Sequence, residues 1–231
     1  MTRLRTLGNL KFDAQPDAAL IEQGRAWRER LSRPVLLLAS SREGEEGAWA
    51  QALSPHHSDV LPCVVPRHPQ RFDEVAKQLQ EQGWRVLRRS QWPSDADALA
   101  RASAQARTVL LGDTLGEMPL YYALARVALM GGSFERHGGQ NLIEALACAC
   151  PVVLGPHTYN FEQVSLDALD AGAACRVVNM PEGVSVALAL CAQNDRQQAM
   201  AARGLALLAA HRGAAQAMAQ AVLDALDQTL T

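Results

Sequence analysis

No apolar run in this 231-residue chain reaches the roughly 20 residues that a membrane-spanning helix needs, so no helical span is expected in it. No signal-peptide pattern opens it either. A surplus of one charge is also missing: 22 Lys and Arg face 24 Asp and Glu, for a net charge of −2 and a pI near 6.3. That balance argues against a general nucleic-acid binder, which carries a basic face, although local basic patches stay open. Paired cysteines are lacking. The five thiols (Cys63, Cys148, Cys150, Cys175, Cys191) are odd in number and sit among Val and Ala, as small buried hydrophobes do. A reducing, cytoplasmic setting without disulfides is expected, and no His or Cys flanks them at zinc spacing. The chain has no P-loop, no G-x-G-x-x-G after its first strand pattern, and no Ser/His/Asp or Cys/His nucleophile arrangement. These absences argue against an NTPase and an ordinary NAD dehydrogenase.

What is present is an alternation of helix and strand patterns. "PDAALIEQGRAWRERL" places Leu20, Ile21, Trp27 and Leu31 on one helical stripe. "PVLLLASS" (34–41) is a continuous apolar run, as expected of a strand covered on both faces. Further strands are expected in "DVLPCVVP" (59–66), "WRVLRR", "TVLLGD" (108–113), "VALMGG" (127–132), "PVVLG" (151–155) and "CRVV" (175–178). Helices are expected over 45–53 and 72–82, after Glu117 and from Asn141, and the Ala-rich 184–230 reads as two more. "SQWPSDADALARASAQA" reads as a Ser/Asp/Ala-rich loop, and the opening "MTRLRTLGNLKFDA" as a mid-protein strand and loop. The pattern predicts an α/β fold: a Rossmann-like, doubly wound parallel sheet, one domain over 1–231 with a helical C-terminal extension.

Ligands of such folds bind beyond the C-terminal ends of the strands. The unusual residues of this chain cluster at those ends, in "SSREGEE", "PRHPQRF", "GDTLGE", "GGSFERHGGQN" and "GPHTYNF". Gly131-Gly132 and Gly138-Gly139 require some group to approach the backbone closely, or else simply permit tight turns. Asn141 and Glu144 form a variant capping box, or else mark an anion site in which phosphate meets helix-start amides and Glu144 accepts from a ribose diol. Arg67, between Pro66 and Pro69, suits a phosphate or carboxylate, or else is a surface charge. Asp113 and Thr114 can cap the next helix and Gly116 can admit a flat ring, or else the same letters form a plain turn. Asp95-Ala-Asp97 matches a metal-binding D-x-D pattern but sits in a polar stretch and reads as a solvated face, as does His56-His57. His68 reads as a loop hydrogen-bonding residue.

Five ordered blocks, "GNLKFD", "SSREGEE", "PRHPQRF", "GDTLGEMPLYYALARVALMGGSF" and "GGQNLIEALACACPVVLGPHTYNF", resemble those of the 3-deoxy-D-manno-octulosonic acid (Kdo) transferases, from about Leu7 to Phe161 and more weakly beyond. The resemblance implies a GT-B glycosyltransferase with two Rossmann-like domains, of which this chain is the C-terminal, donor-binding one. It implies CMP-Kdo as donor substrate, no cofactor and no metal, and transfer to a lipid A precursor at the cytoplasmic face of the inner membrane. The acceptor half, with its carboxylate base, is expected to be absent, so no catalytic residue is expected in this chain. The family's CMP contacts carry over to Pro66 and Arg67, to Leu115, Gly116 and Glu117, and to Asn141, Leu142, Ile143 and Glu144. Gln140 and Leu142 depart from the family's His and Pro. A free-standing nucleotide-binding module and the donor half of a UDP-sugar transferase or epimerase are the alternatives.

Overall fold

The computed structural model describes residues 10–13 and 15–229. Most of the opening stretch therefore lies outside the described residues, and its Leu10–Asp13 is a 3₁₀ turn. Phe12 from this turn stacks on His211 at 4.8 Å. Asp13 accepts from the N–H groups of Gly213 and Ala215, each at 2.7 Å, which ties the turn to the start of the last helix.

Seven parallel strands run in the order β3-β4-β2-β1-β5-β6-β7. They are β1 Val35–Ser41, β2 Leu61–Pro66, β3 Arg85–Arg88, β4 Thr108–Leu111, β5 Val127–Met130, β6 Val152–Leu154 and β7 Ala174–Arg176. The apolar run of β1 is continuous because both of its faces are covered. Val35, Leu37 and Ala39 join one core cluster, while Leu36 and Leu38 join the other. The first cluster is built with α1 (Ala18–Arg30), α5 (Met118–Leu124) and α6 (Ile143–Ala147). The second is built with α2 (Glu45–Leu53), α3 (Phe72–Glu81) and α8 (Met180–Ala192). α1 meets α5 closely: a Cβ on Gly24 would stand 2.4 Å from the carbonyl oxygen of Leu120.

Three expectations are corrected. The Ser/Asp/Ala-rich stretch contains a helix, α4 (Ala96–Ser103), whose N-terminus is capped by Asp95 accepting from the N–H of Ala98. The helix expected from Asn141 starts at Ile143 and is five residues long. The Ala-rich end forms three helices rather than two, with α9 (Asn194–His211) and α10 (Ala214–Thr229) following α8; α7 is Glu162–Asp170. A polar composition hides α4 because only Leu99 and Ser103 of its eight residues are buried.

Among the described residues, no helix is long and apolar enough to cross a membrane. The five cysteines are free thiols. Burial pushes the Cys148 and Cys191 thiols up to about 12, as suits packing rather than reaction.

Candidate functional site

The chain leaves β1 for β2 on one side and, after β4, returns to β5 on the other. The C-terminal ends of β1 and β5 are therefore the switch point where such sheets open a crevice. β1 ends in a bulge between Ala39 and Ser41, with Ser40 at φ 53°, a left-handed conformation unusual for a residue with a side chain.

Two adjacent glutamates at the start of α2 organise this edge. Glu45 is buried, and its carboxylate accepts from the N–H groups of Arg42 (2.8 Å), Gly132 (2.8 Å) and Phe134 (3.1 Å). Burial raises its pKa against the pull of those three donors. Glu46, also buried, accepts from the Ser41 hydroxyl at 2.7 Å and from Arg71 at 2.7 and 3.2 Å, a fork-to-fork pair. Glu45 thus fixes the loop after β5, and Glu46 the loop after β2.

That second loop carries Arg67. Pro66 is buried as the last residue of β2, and the Arg67 N–H donates to the Ser41 carbonyl at 3.0 Å. The Arg67 side chain is exposed, and its Nε donates to Gln140 Oε1 at 3.3 Å. With Ser40, Leu115, Gly116 and Glu117 it lines a cavity of about 120 Å³. Leu115 is 73% exposed. Gly116 has φ +79°, with nothing within 4 Å of where a Cβ would stand, so bare backbone faces outward there. Glu117 is held by Arg89 at 2.7 Å and by the Thr114 hydroxyl. Arg89 itself lies over Trp27 and Trp92, 5.2 and 5.3 Å from the ring centres. Asp113 does not cap α5; it accepts from the N–H and hydroxyl of Ser90 at 2.9 and 2.8 Å.

Asn141, Ile143 and Glu144 line a second cavity of about 200 Å³ with Gln15 and Pro16. Asn141 Oδ1 accepts from the Ile143 N–H at 3.1 Å, an Asx turn that occupies one of the amides expected to meet phosphate. The Leu142 side chain is fully buried in the core, so only its backbone can face a ligand. Burial raises the pKa of Glu144.

Pro66, Arg67, Leu115, Gly116 and Glu117 therefore line the first cavity and Asn141, Ile143 and Glu144 the second, and Arg67 reaches Gln140, the chain neighbour of Asn141, from 73 positions away. The glycines between them serve the chain's own packing. A Cβ on Gly131 would stand 2.5 Å from the Ser40 carbonyl oxygen, and one on Gly138 would stand 2.3 Å from the Asn160 side chain. Close backbone approach was the right expectation, and the approaching group is protein. Sequence reasoning missed Glu45, Glu46, Arg71 and Arg89, whose partners are distant in the chain. Asp95 is a helix cap and Asp97 ion-pairs with Arg30 at 3.7 Å; among the described residues no His/Cys/Asp/Glu group could hold a metal.

No protein-family model matches the chain. It is 46% identical over 229 residues to a 3-deoxy-D-manno-octulosonic acid transferase of Bordetella pertussis, covering 96% of this chain and 51% of that protein. A second, from Haemophilus influenzae, is 30% identical over 220 residues, covering 93% and 50%. In structure it is similar to the C-terminal CMP-Kdo binding domain of WaaA from Acinetobacter baumannii, with a TM-score of 0.73 and 30% identity over 83% of this chain and 99% of that one. Anabaena Alr3699/HepE, solved with UDP-glucose, shares the fold alone: TM-score 0.59, 13% identity, 95% of this chain and 55% of that one. The chain spans about half the length of the curated relatives it matches.

Proposed function

Because the chain belongs to the 3-deoxy-D-manno-octulosonic acid transferase family, we propose that it is the domain that holds CMP-Kdo in a GT-B glycosyltransferase that transfers Kdo to a lipid A precursor. In this reading the acceptor and the base come from the half of the longer relatives that these residues do not span. The enzyme works at the cytoplasmic face of the inner membrane and takes no cofactor; CMP-Kdo is its substrate. The observation that carries the reading is the meeting of Arg67, in the wall of one cavity, with Gln140, the chain neighbour of Asn141 in the wall of the other, at the sheet's C-terminal edge. Each cavity is smaller than the roughly 300 Å³ at which small-molecule pockets begin. A nucleotide lies across both. Its phosphate meets Arg67, its ribose hydroxyls donate to Glu144, and its pyrimidine lies against Leu115, the bare backbone of Gly116, and Glu117. Pro66 sets where Arg67 leaves the sheet, and Asn141, Leu142 and Ile143 set where Glu144 begins its helix.

The test compares CMP, cytidine and UMP by calorimetric titration. Arg67→Ala is expected to lower CMP affinity by at least about tenfold, roughly 1.4 kcal/mol, with cytidine nearly unchanged. Arg67→Lys is expected to lose part of this, since an ammonium supplies charge without the planar fork. Equal losses for CMP and cytidine would make Arg67 a loop-shaping residue. UMP binding as tightly as CMP would favour the UDP-sugar alternative.

Glu144→Ala is expected to cost CMP binding about 1.5–3 kcal/mol while leaving inorganic phosphate affinity in place. The pH dependence has a defined sign. Burial lifts the folded-state pKa of Glu144 above its ordinary 4.5. The folded chain therefore holds this proton more tightly than the unfolded one. The resulting stability is fully present below 4.5 and is lost as pH rises through the lifted value. Ribose hydroxyls that donate to the ionised carboxylate oppose the proton. The CMP affinity of the unmodified chain, relative to Glu144→Gln, should accordingly climb with pH through that window. A flat ratio would remove Glu144 from the ribose.

A further inference from the structure

At the opposite edge of the sheet, where the strands begin, three arginines converge with no acidic partner. Arg25 and Arg28 stand one turn apart on α1, and Arg126 lies in the connection from α5 to β5, its N–H donating to the Val35 carbonyl at 2.8 Å. Among the described residues none of the three forms an ion pair, although eleven such contacts are made elsewhere. Their side-chain hydrogen bonds are few and long: Arg28 to the Ala125 carbonyl at 3.5 Å, and Arg126 to Asn194 Oδ1 at 3.4 Å. Most of the guanidinium N–H groups are left for another acceptor. The pKa of Arg28 is pulled down by burial and then by the charges of Arg126 and Arg25, against opposing pulls from Cys150 and Glu29, so like charges crowd here.

The arginines frame a groove rather than a flat surface. Two adjoining cavities, of about 340 and 370 Å³, both have Arg28 and Arg126 in their walls. Arg25, Gln197 and Gln198 line the first, and Asn194 the second. Gln197 is itself buried and anchored through its Nε2 to the Arg126 carbonyl at 3.3 Å, which fixes the wall that faces the arginines. Guanidinium forks with unengaged N–H groups, beside side-chain amides, are the chemistry that receives phosphate oxygens. β1 separates this groove from Arg67 by its seven residues, roughly 20 Å at about 3.3 Å per residue. One small donor molecule cannot occupy both.

We infer that the groove framed by Arg25, Arg28 and Arg126 is a second anion site, for a phosphate or diphosphate group, separate from the donor cleft. The group belongs either to a soluble metabolite or to a phospholipid headgroup. The chemistry is shared, and the experiment separates the sources.

Inorganic pyrophosphate is titrated calorimetrically into the chain carrying Arg67→Ala, which removes the donor-cleft cation. Retained binding is expected, weakened at least about tenfold by Arg28→Gln with Arg126→Gln. Arg25→Glu, a charge reversal at an exposed position, is expected to weaken it as well and keeps the test valid if the double variant unfolds. Pelleting with phosphatidylglycerol vesicles against phosphatidylcholine vesicles then names the source. Arginine-dependent pelleting with the former supports a headgroup, and none, with pyrophosphate still bound, supports a soluble ligand. Pyrophosphate binding that is absent, or unchanged in both arginine variants, overturns the site.

Discussion

Glu46→Ala should lower the unfolding free energy by about 3–5 kcal/mol, measured by urea denaturation, because it strands a buried guanidinium. Arg71 is 5% exposed and both of its terminal nitrogens donate to Glu46. Its other carboxylate neighbours, Glu43 at 3.4 Å and Glu74 at 3.6 Å, are themselves exposed and screened. The same substitution removes the acceptor of the Ser41 hydroxyl. Replacing both charges, as Glu46→Leu with Arg71→Met, should recover most of the loss, since a well-packed apolar pair avoids the cost of dehydrating two ions. The double variant should nevertheless bind CMP less well. Arg71 lies four residues beyond Arg67, and its ion pair holds that loop against α2. A loss below about 1 kcal/mol for Glu46→Ala would mean that Glu43 and Glu74 suffice for Arg71.

The fold was legible wherever burial was two-sided. The run 34–41 became β1 almost residue for residue, and the helix at 45–53 matched α2 at both ends. Legibility failed where local composition and tertiary context disagreed. α4 is Ala- and Asp-rich, yet Asp95 caps it and Leu99 anchors it. Asn141 read as a helix start, but its side chain turns back on Ile143 and the helix behind it is short.

At the candidate site, each residue's identity was legible and its neighbours were not. Arg67 stands out through its prolines, but Gln140 reads only as a departure from the family pattern. Their contact links the loop after β2 to the segment before Asn141. The glycines illustrate the same limit. A sequence shows that a Cβ is unwelcome at Gly131 without showing that the Ser40 carbonyl excludes it. Likewise "SSREGEE" reads only as an unusual stretch at a strand end. Two of its carboxylates are buried because their donors arrive from 25 to 89 positions away.

Glu45→Ala should cost about 3 kcal/mol or more, the sum of partly rehydrated N–H groups that are each worth about 1–3 kcal/mol when left unpaired. Three backbone donors converge on this carboxylate, two of them from the loop after β5. The nearby Ser133 Oγ is already engaged, donating to the Met130 carbonyl at 2.5 Å and accepting from the Gly155 N–H at 2.8 Å. The loss should also be local before it is global. Amide exchange at Gly132 and Phe134 should accelerate well before that of β1. Glu43→Ala, at an exposed neighbour whose pairs are with Arg42 and Arg71, should stay within about 1 kcal/mol. The effect should reach the cleft as well. Gly139 donates to the Gly132 carbonyl at 2.7 Å, so freeing Gly132 loosens the segment that ends in Gln140, the partner of Arg67. Comparable losses for Glu43→Ala and Glu45→Ala, or unchanged exchange at Gly132, would show that the loop after β5 keeps its shape without the buried carboxylate.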